Sequence, residues 1–420
     1  MSAQPLLSDY PTPRRGAGMS APQVPHIPAQ AGPHIPTQGA PGVPPPSPER
    51  ASQMVELIRG SWALVEDRAE ELAKDFYAFL FQRAPETREL FPANMQVQRS
   101  RLLRALVHVV QMVDRPDELG TFLSQLGRDH RKFGVVARHY QAVGAALVGA
   151  IEMHSGSAWT PEVRGAWLEA YGVISQTMCT AAEAEHGPAS WLGRVLTHRR
   201  LSWDVALVQV QTGAPIPYRA GQYLSVETPR RPRLWRYLSP ANAPRDDGVI
   251  EFHVRAVENG WVSRAIVAHT QPGDVWRLGP PMGGMTVDRE SGRDQLMVVG
   301  GTGLAPIKAI LEDMSRQPDN PRTEVFAGAR TYEELYDFAS LRQMSYTNPW
   351  LSVVPVVEDD DGLSGAEVGT LADVVTRYGA WQDHDVLVCG SPDMIRATVS
   401  RMLVAGTPLD QIRYDPFTLD

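Results

Sequence analysis

Residues 119–140, LGTFLSQLGRDHRKFGVVARHY, decide how the rest of the chain is interpreted. Apolar residues recur there at helical spacing, at Leu119, Phe122, Leu123 and Leu126. This helix leads to a single histidine, His130, and a turn carrying Gly134 follows. A lone histidine near a helix end is usually a capping or surface residue. If His130 instead binds iron, the segments before it build a pocket and those after it deliver electrons.

Composition excludes several classes of protein. The chain has 420 residues, enough for roughly two to four domains. Its formal net charge of -8 argues against a nucleic-acid or anionic-membrane partner. Cys179 and Cys389 are the two cysteines, which is no disulfide framework and suits a reducing compartment. Without a signal pattern or a long apolar run, the sequence predicts a cytoplasmic protein with no membrane span.

The N-terminal residues 1–46 differ from the rest of the chain. They are rich in Pro, Gly, Ala and Gln, and Pro-His-Ile-Pro-x-Gln occurs at residues 25–30 and again at 33–38. Such a composition cannot bury enough apolar surface to offset the cost of ordering, so a disordered arm is predicted. Its two histidines, His26 and His34, fit solvated spacer residues better than a metal site.

An all-helical domain is predicted for residues 47–187. At its start, Ser47 can cap a helix, Pro48 suits the first helical position and Glu49 favours the helix dipole. Apolar residues then recur at helical spacing to the end of this range, and no strand pattern interrupts them.

The periodicity changes after Trp191. Residues 202–211 and 248–257 alternate between apolar and polar, and Pro and Gly interrupt the chain at short intervals. This predicts an antiparallel β-barrel or sandwich over residues 188–292. In residues 293–420, short apolar strands alternate with amphipathic helices, which predicts a parallel sheet. Residues 300–306, GGTGLAP, follow a buried strand and form a credible phosphate cradle.

A set of residues in the helical domain resembles a globin: Tyr77, Phe91, Gln98, Leu102 and His130. The domain is similar to the globins of the flavohemoglobin family. The resemblance implies heme b with His130 as the iron ligand and Tyr140 as a proximal partner. It also implies that Tyr77 and Gln98 hydrogen-bond O2 on the distal side, between the apolar walls Phe91 and Leu102. These residue types suit a heme that binds O2 in a dry pocket.

One residue departs from the family pattern on the proximal side. The family's third proximal partner is a glutamate, and the matching position here holds Ala182. Glu183 lies about 100° further round the helix. A histidine without that charge should donate less electron density to iron. The resemblance therefore implies heme binding with altered catalysis.

The second domain resembles the FAD-binding barrel of ferredoxin-reductase-like proteins. The resemblance implies FAD contacts from Gln222, Tyr223, Arg236, Tyr237, Ser239, Gly260, Val262 and Ser263. The family's flavin motif, Arg-x-Tyr-Ser, is altered, because Trp235 takes the arginine position and Leu238 the serine position. Arg236 or Arg233 is the expected source of the lost charge. Taken alone, this stretch also fits an edge strand with a surface aromatic cluster.

The third domain is similar to the family's nicotinamide-binding domain. The matching residues are Gly301, Thr302, Gly303 and Pro306 in the cradle, Cys389 and Gly390 beside the nicotinamide, and Phe417 near the flavin. As a single residue, Cys389 would be an inert core thiol. Arg330 ends the second parallel strand, where the 2′ group of a dinucleotide is often read. It favours NADPH, but relatives with the same Gly-Ala-Arg include NADH enzymes, so NAD(P)H stays open.

Together these resemblances imply an all-α globin, an antiparallel β-barrel FAD domain and an α/β parallel-sheet NAD(P) domain. They imply electron transfer from NAD(P)H through FAD to heme, and oxidation of nitric oxide (NO) to nitrate by ferrous heme carrying O2. Two alternatives stay open. One is a flavohemoprotein acting on a peroxide or a hydroxy acid. The other is an O2 or redox sensor or carrier, whose reductase resets the iron and whose N-terminal arm docks a protein partner.

Overall fold

The computed structural model describes residues 48–359 and 365–415. The predicted arm, the Ser47 cap and Phe417 lie outside the described residues. The first described part is helical: α1 Pro48–Ala63, α2 Ala69–Arg83, α3 Gln96–Met112, α4 Pro116–His130, α5 Ala137–Ser155 and α6 Pro161–Ala184. Thr160 caps α6 by accepting a hydrogen bond from the Val163 N–H, as the sequence Thr160-Pro161-Glu162 predicts.

The helix that carries His130 is fixed by a close contact. A Cβ atom at Gly127 would lie 2.2 Å from the carbonyl oxygen of Met178, so only glycine lets α4 pack this tightly on α6. His130 is the last residue of α4, and the following 3₁₀ turn ends at Gly134 with φ +71°. Apolar side chains of α2 and α5, among them Leu72, Phe76 and Ile151, form the core beside this pocket.

An antiparallel sheet follows, with α7 inserted before its last strand: β1 Trp191–Arg200, β2 Val205–Thr212, β3 Tyr223–Glu227, β4 Arg236–Leu238, β5 Val249–Arg255, α7 Trp261–His269 and β6 Val275–Met282. The strand order is β4-β3-β6-β1-β2-β5. A bridge between Pro240 and Phe252 brings the chain after β4 back to β5 and closes the barrel. The alternation in the sequence did not predict β1. Residues 219–222 form a turn directly before β3.

The last domain is a parallel sheet with helices: β7 Asp294–Gly300, α8 Leu304–Ser315, β8 Thr323–Ala329, α9 Phe338–Thr347, β9 Leu351–Val357, β10 Glu367–Val368, α10 Leu371–Tyr378, β11 His384–Cys389, α11 Pro392–Ala405 and β12 Ile412–Arg413. The order is β10-β9-β8-β7-β11-β12. Strands β8 to β10 lie on one side of β7, and β11 and β12 lie on the other, so the strand order switches at β7. Ligands bind at such a switch point, beyond the carboxyl ends of the strands. The predicted three-part fold is confirmed.

Within the described ranges, no helix is both long enough and apolar enough to cross a membrane.

Candidate functional site

One cavity runs from the helical domain into the barrel. Its volume is about 1440 Å³, larger than the roughly 300–1,000 Å³ of a typical ligand pocket. Tyr77 and His130 line it in the helical domain, and Tyr223 and Tyr237 line it in the barrel. Residues predicted to hold two different cofactors therefore open onto one continuous space.

His130 is prepared to bind a metal. Its Nδ1 atom lies 2.8 Å from the main-chain oxygen of Leu126, one turn earlier in α4. Since a carbonyl only accepts, Nδ1 carries the proton and Nε2 keeps its lone pair. Burial lowers the pKa of His130, which favours the neutral imidazole that a metal requires. The tautomer and the neutral imidazole suit a histidine that would bind heme iron through Nε2.

The predicted distal residues lie close together in the cavity. Tyr77, Gln98 and Leu102 line the same cavity, and the rings of Tyr77 and Phe91 are 5.4 Å apart, edge to face. Burial raises the pKa of Tyr77 well above its usual value, so its hydroxyl stays protonated. That hydroxyl donates only a long hydrogen bond, 3.4 Å, to the main-chain oxygen of Gln98. Such a bond is easily given up for a better acceptor.

On the proximal side, the hydrogen-bond acceptor for His130 is a backbone carbonyl and not a carboxylate. Tyr140 lines the cavity, and burial raises its pKa to about 12. In the described part of the chain, His130 bonds to Leu126 and not to Tyr140. α6 is a regular helix up to Ala184, which leaves Ala182 half-buried and Glu183 exposed. The helix therefore carries no local shift that would turn Glu183 towards His130.

Two further buried groups fit heme. The Nδ1 atom of His139 accepts the main-chain N–H of Val136, so in the neutral imidazole the proton is on Nε2. Among the described residues, this buried Nε2 and the buried Nε of Arg104 have no hydrogen-bond partner. Both residues line the cavity. Buried donors are normally satisfied, and the two carboxylates of heme would satisfy these.

The flavin motif places two tyrosines together. Tyr223 begins β3 and Tyr237 lies in β4, and their rings are 5.0 Å apart. Gln222 also lines the cavity, where its side-chain amide donates to the Gly283 oxygen at 3.3 Å. These aromatic faces at the cavity wall fit the ring system of FAD.

The other predicted flavin residues lie after β4 and at the start of α7, outside the lining of this cavity. Ser239 follows β4, and Gly260 stands at the N-cap position of α7. Val262 is buried, and the Ser263 hydroxyl donates to the Gly260 oxygen at 3.2 Å. The N–H groups at the start of this helix are suited to a diphosphate.

The two arginines expected to replace the lost charge take different directions. Arg236 donates to the Trp235 oxygen at 2.9 Å and stays in the barrel. Arg233 reaches the helical domain, where its guanidinium donates to the Phe91 oxygen at 3.4 Å. The Arg236 side chain therefore stays within the barrel, whereas that of Arg233 contacts the helical domain.

Sequence reasoning missed a buried ion pair in the seam between the helical domain and the barrel. The Lys132 ammonium lies 2.5 Å from the Asp129 carboxylate, and both residues are buried. It also lies 5.1 Å from the ring centre of Trp235 and 5.4 Å from that of Tyr237. On the other side, the Arg277 guanidinium lies 5.0 Å from the Trp235 ring. The i,i+3 spacing of Asp129 and Lys132 is compatible with an ion pair, but nothing in the sequence indicated the contacts with Trp235 and Tyr237.

The predicted phosphate cradle has the expected form. Gly301–Gly303 make a 3₁₀ turn between β7 and α8. Thr302 lies in this turn, and Pro306 lies in the first turn of α8. A Cβ atom at Gly303 would lie 2.4 Å from the Cys389 oxygen, so glycine is required there. From the barrel, the Arg255 guanidinium approaches Gly301 to within 3.4 Å of where its Cβ would be. Close backbone and a nearby cation fit a dinucleotide diphosphate.

Asp415 is a second residue that sequence reasoning missed, although it lies only two positions before the predicted Phe417. It is buried at the cavity wall, and burial raises its pKa to about 7. One of its oxygens has no partner among the described residues. Its charge helps to raise the pKa of Cys389, after burial, which is the larger cause. Asp415 therefore lies between the flavin tyrosines and the predicted nicotinamide turn.

Two remaining predicted residues lie in that domain. Gly390 follows β11, directly after Cys389. Arg330 follows β8 with an exposed side chain, at the end of the strand where the sequence places it.

Three family models match successive parts of the chain. They are Globin over residues 74–178, Oxidoreductase FAD-binding domain over residues 193–286, and Oxidoreductase NAD-binding domain over residues 297–400.

Known proteins resemble most of the chain. A flavohemoprotein of Bacillus subtilis is 24% identical over an alignment of 388 positions that covers 87% of this chain and 97% of that protein. One of Bordetella pertussis is 28% identical over an alignment of 285 positions that covers 63% of this chain and 71% of that protein. A solved flavohemoglobin of Malassezia yamatoensis, with bound FAD and heme, covers 87% of this chain and 98% of its own, with TM-score 0.73. At 18% identity, that likeness shows the fold alone.

The fold and the cavity define a globin joined to a flavin and nicotinamide oxidoreductase, an NAD(P)H-dependent enzyme. Its cofactors are heme, FAD and NAD(P)H, as the sequence predicts. The chain thus joins a globin domain to FAD-binding and NAD-binding oxidoreductase domains, and the relatives that match most of its length are flavohemoproteins.

Proposed function

We propose that this protein is a cytoplasmic, NAD(P)H-dependent nitric oxide dioxygenase that converts NO to nitrate with O2. The observation that carries the proposal is the single cavity shared by His130 in the helical domain and Tyr237 in the barrel. When bound, NAD(P)H supplies hydride, FAD accepts its two electrons and passes them on one at a time, and heme supplies the iron at which O2 and NO react.

In this proposal the helical domain, residues 47–187, controls the iron site. His130 offers Nε2 as the iron ligand because Leu126 fixes its other nitrogen. Tyr77 donates a hydrogen bond to the distal ligand, with Gln98 beside it. Phe91 and Leu102 exclude water from this side, which strengthens those hydrogen bonds.

The reductase residues bring the electron source to the same cavity. We assign residues 188–292 to the FAD domain and residues 293–420 to the NAD(P) domain. Tyr223 and Tyr237 would hold the flavin ring, and the first turn of α7 its diphosphate. The cradle Gly301–Gly303 would hold the dinucleotide, next to Cys389.

NO consumption by the heme- and FAD-loaded protein in air tests the proposal. We expect continuous consumption that requires NADH or NADPH and is blocked by cyanide. The Tyr237→Ala variant should retain heme but consume NO for a single turnover only. If the wild-type protein also stops after one turnover, the dioxygenase assignment is rejected.

A second candidate is an O2 carrier or redox sensor, with a reductase that resets the iron. It is favoured by the neutral carbonyl that holds His130 in place of a carboxylate, because a less basic histidine donates less electron density. Slow turnover, together with a protein partner that binds only when residues 1–46 are present, would support it.

A further inference from the structure

Three polar side chains meet in the seam between the barrel and the α/β domain. Glu251 and His253 are two residues apart on β5 and so point to the same side. The Nε2 atom of His253 lies 2.9 Å from the Glu251 carboxylate, and its Nδ1 lies 3.1 Å from the hydroxyl oxygen of Tyr336. The His253 side chain is fully buried. Glu251 and Tyr336 thus meet on the two nitrogens of one imidazole.

The direction of these hydrogen bonds follows from their chemistry. The bond from His253, followed by the charge of Lys308, lowers the pKa of Glu251 to about 2, so its carboxylate is ionised. An ionised carboxylate only accepts, and His253 therefore donates from Nε2. In the neutral imidazole, Nδ1 then accepts the Tyr336 O–H. The barrel thus fixes the orientation of the tyrosine hydroxyl.

A second anchor holds the next residue. The Lys308 ammonium on α8 lies 2.7 Å from the Asp337 carboxylate and 3.4 Å from that of Glu251. Asp337 has φ +57°, a left-handed conformation that non-glycine residues adopt only when their surroundings impose it. The Ser340 hydroxyl also donates to Asp337, at 2.5 Å. The segment that carries Tyr336 is therefore held from both domains.

This segment lies at the predicted nucleotide site. Tyr336 lines a small cleft of about 10 Å³ together with Gly301 and Glu334, at the carboxyl ends of β7 and β8. Dinucleotides bind at that edge of open parallel sheets. Lys308 belongs to the helix that begins at the cradle. A displacement of Tyr336 would therefore change the wall that faces Gly301.

We propose that Glu251 and His253, although they belong to the barrel, are positioning residues for NAD(P)H. By fixing Tyr336 they preform the wall of the cleft opposite Gly301. Without that hydrogen bond the nucleotide must order the segment as it binds, which weakens affinity and leaves the rate of hydride transfer from bound nucleotide unchanged. The inference rests on the assignment of Gly301–Gly303 as the diphosphate cradle. It does not depend on reaction with NO.

Calorimetric titration of the FAD-loaded protein with NAD⁺ and with ADP-ribose tests this role. Tyr336→Phe removes one oxygen and keeps the ring, and we expect its Kd for both to rise roughly tenfold, as for the loss of one hydrogen bond. His253→Ala should raise both Kd values by a similar factor. His253→Asn should retain more affinity, because its amide oxygen can accept the Tyr336 O–H. His269→Asn, an exposed histidine at the end of α7, is the matched control.

Stopped-flow reduction of the flavin by NADH, without NO, separates positioning from chemistry. The limiting rate should stay within about twofold of wild type while the apparent Kd rises, since only the binding step changes. A lower limiting rate at unchanged Kd would overturn the proposal, as would a wild-type Kd in Tyr336→Phe. If His253→Ala does not fold, the Kd of Tyr336→Phe still tests the proposal. A wild-type protein that binds neither NAD⁺ nor ADP-ribose would overturn the cradle and this proposal together, whereas failure to consume NO would not.

Discussion

The ammonium of Lys132 in the helical domain lies 5.1 Å from the centre of the Trp235 indole in the barrel. Lys132 follows His130 by two residues, and Trp235 precedes Tyr237 by two. The contact therefore links the neighbours of the predicted iron ligand and of the predicted flavin tyrosine. Pairing with Asp129 and contact with aromatic faces offset the cost of burying the ammonium charge.

Lys132→Met should destabilise the protein by about 3–5 kcal/mol, because it leaves the buried carboxylate of Asp129 without its partner. The midpoint of urea unfolding, followed by tryptophan fluorescence, measures this. In the double variant Asp129→Asn with Lys132→Met, most of the loss should be recovered. Equal midpoints for the single and the double variant would show that the loss does not come from the unpaired carboxylate of Asp129.

His130→Ala should abolish stable heme binding, because it removes the nitrogen that the Leu126 carbonyl leaves available for iron. Titration of the heme-free protein with heme, followed by visible absorption, measures the effect. His269→Ala, at an exposed position at the end of α7, is the control and should bind heme normally. A normal heme spectrum in His130→Ala would refute the assignment.

Tyr77→Phe should speed the release of O2 roughly 10–100-fold, the effect of losing one hydrogen bond to a partly charged acceptor. The O2 dissociation rate of the reduced protein, measured by stopped-flow mixing, is the readout. Tyr171→Phe removes a hydroxyl that donates to the main-chain oxygen of Tyr140 instead, and should leave the rate within about twofold. Equal rates in wild type and Tyr77→Phe would count against a distal role.

Asp415→Asn should change the pH dependence of stability. Burial raises the pKa of Asp415 to about 7, against about 3.9 in an unfolded chain. Because the folded protein holds this proton more tightly, the stabilising contribution is complete below about pH 4 and is lost as the pH rises to about 7. The free energy of unfolding of the FAD-free protein should therefore fall by on the order of 4 kcal/mol more in wild type than in Asp415→Asn. Parallel urea-unfolding curves across this range would contradict the shift.

Much of the fold could be predicted because each domain has its own periodicity. The helical repeat before residue 187 and the alternation in β5 have clear signals, since one face of each element is buried. β1 was missed because its alternation is weak. Only Gly193 and Val195 are buried in that strand, while Leu192 and Leu196 are exposed.

The site was predictable where residues keep a fixed spacing within one element. Gln98 and Leu102 share a face of α3, and Gly301–Gly303 directly follow a buried strand. Contacts across a seam carry no such pattern. His253 and Tyr336 are 83 positions apart, and Lys132 meets Trp235 only because two domains pack together. The direction taken by Arg233 was unpredictable for the same reason.

The acceptor that holds His130 is a backbone atom, the carbonyl oxygen of Leu126. No replacement of the Leu126 side chain can delete that atom, whereas a glutamate partner would be lost in a single codon change. The electron-donating strength of this histidine is therefore insulated from sequence drift in α6. A substitution would change this property only by placing an acidic side chain within reach of Nδ1. That side chain would also have to displace the backbone hydrogen bond that the helix already provides.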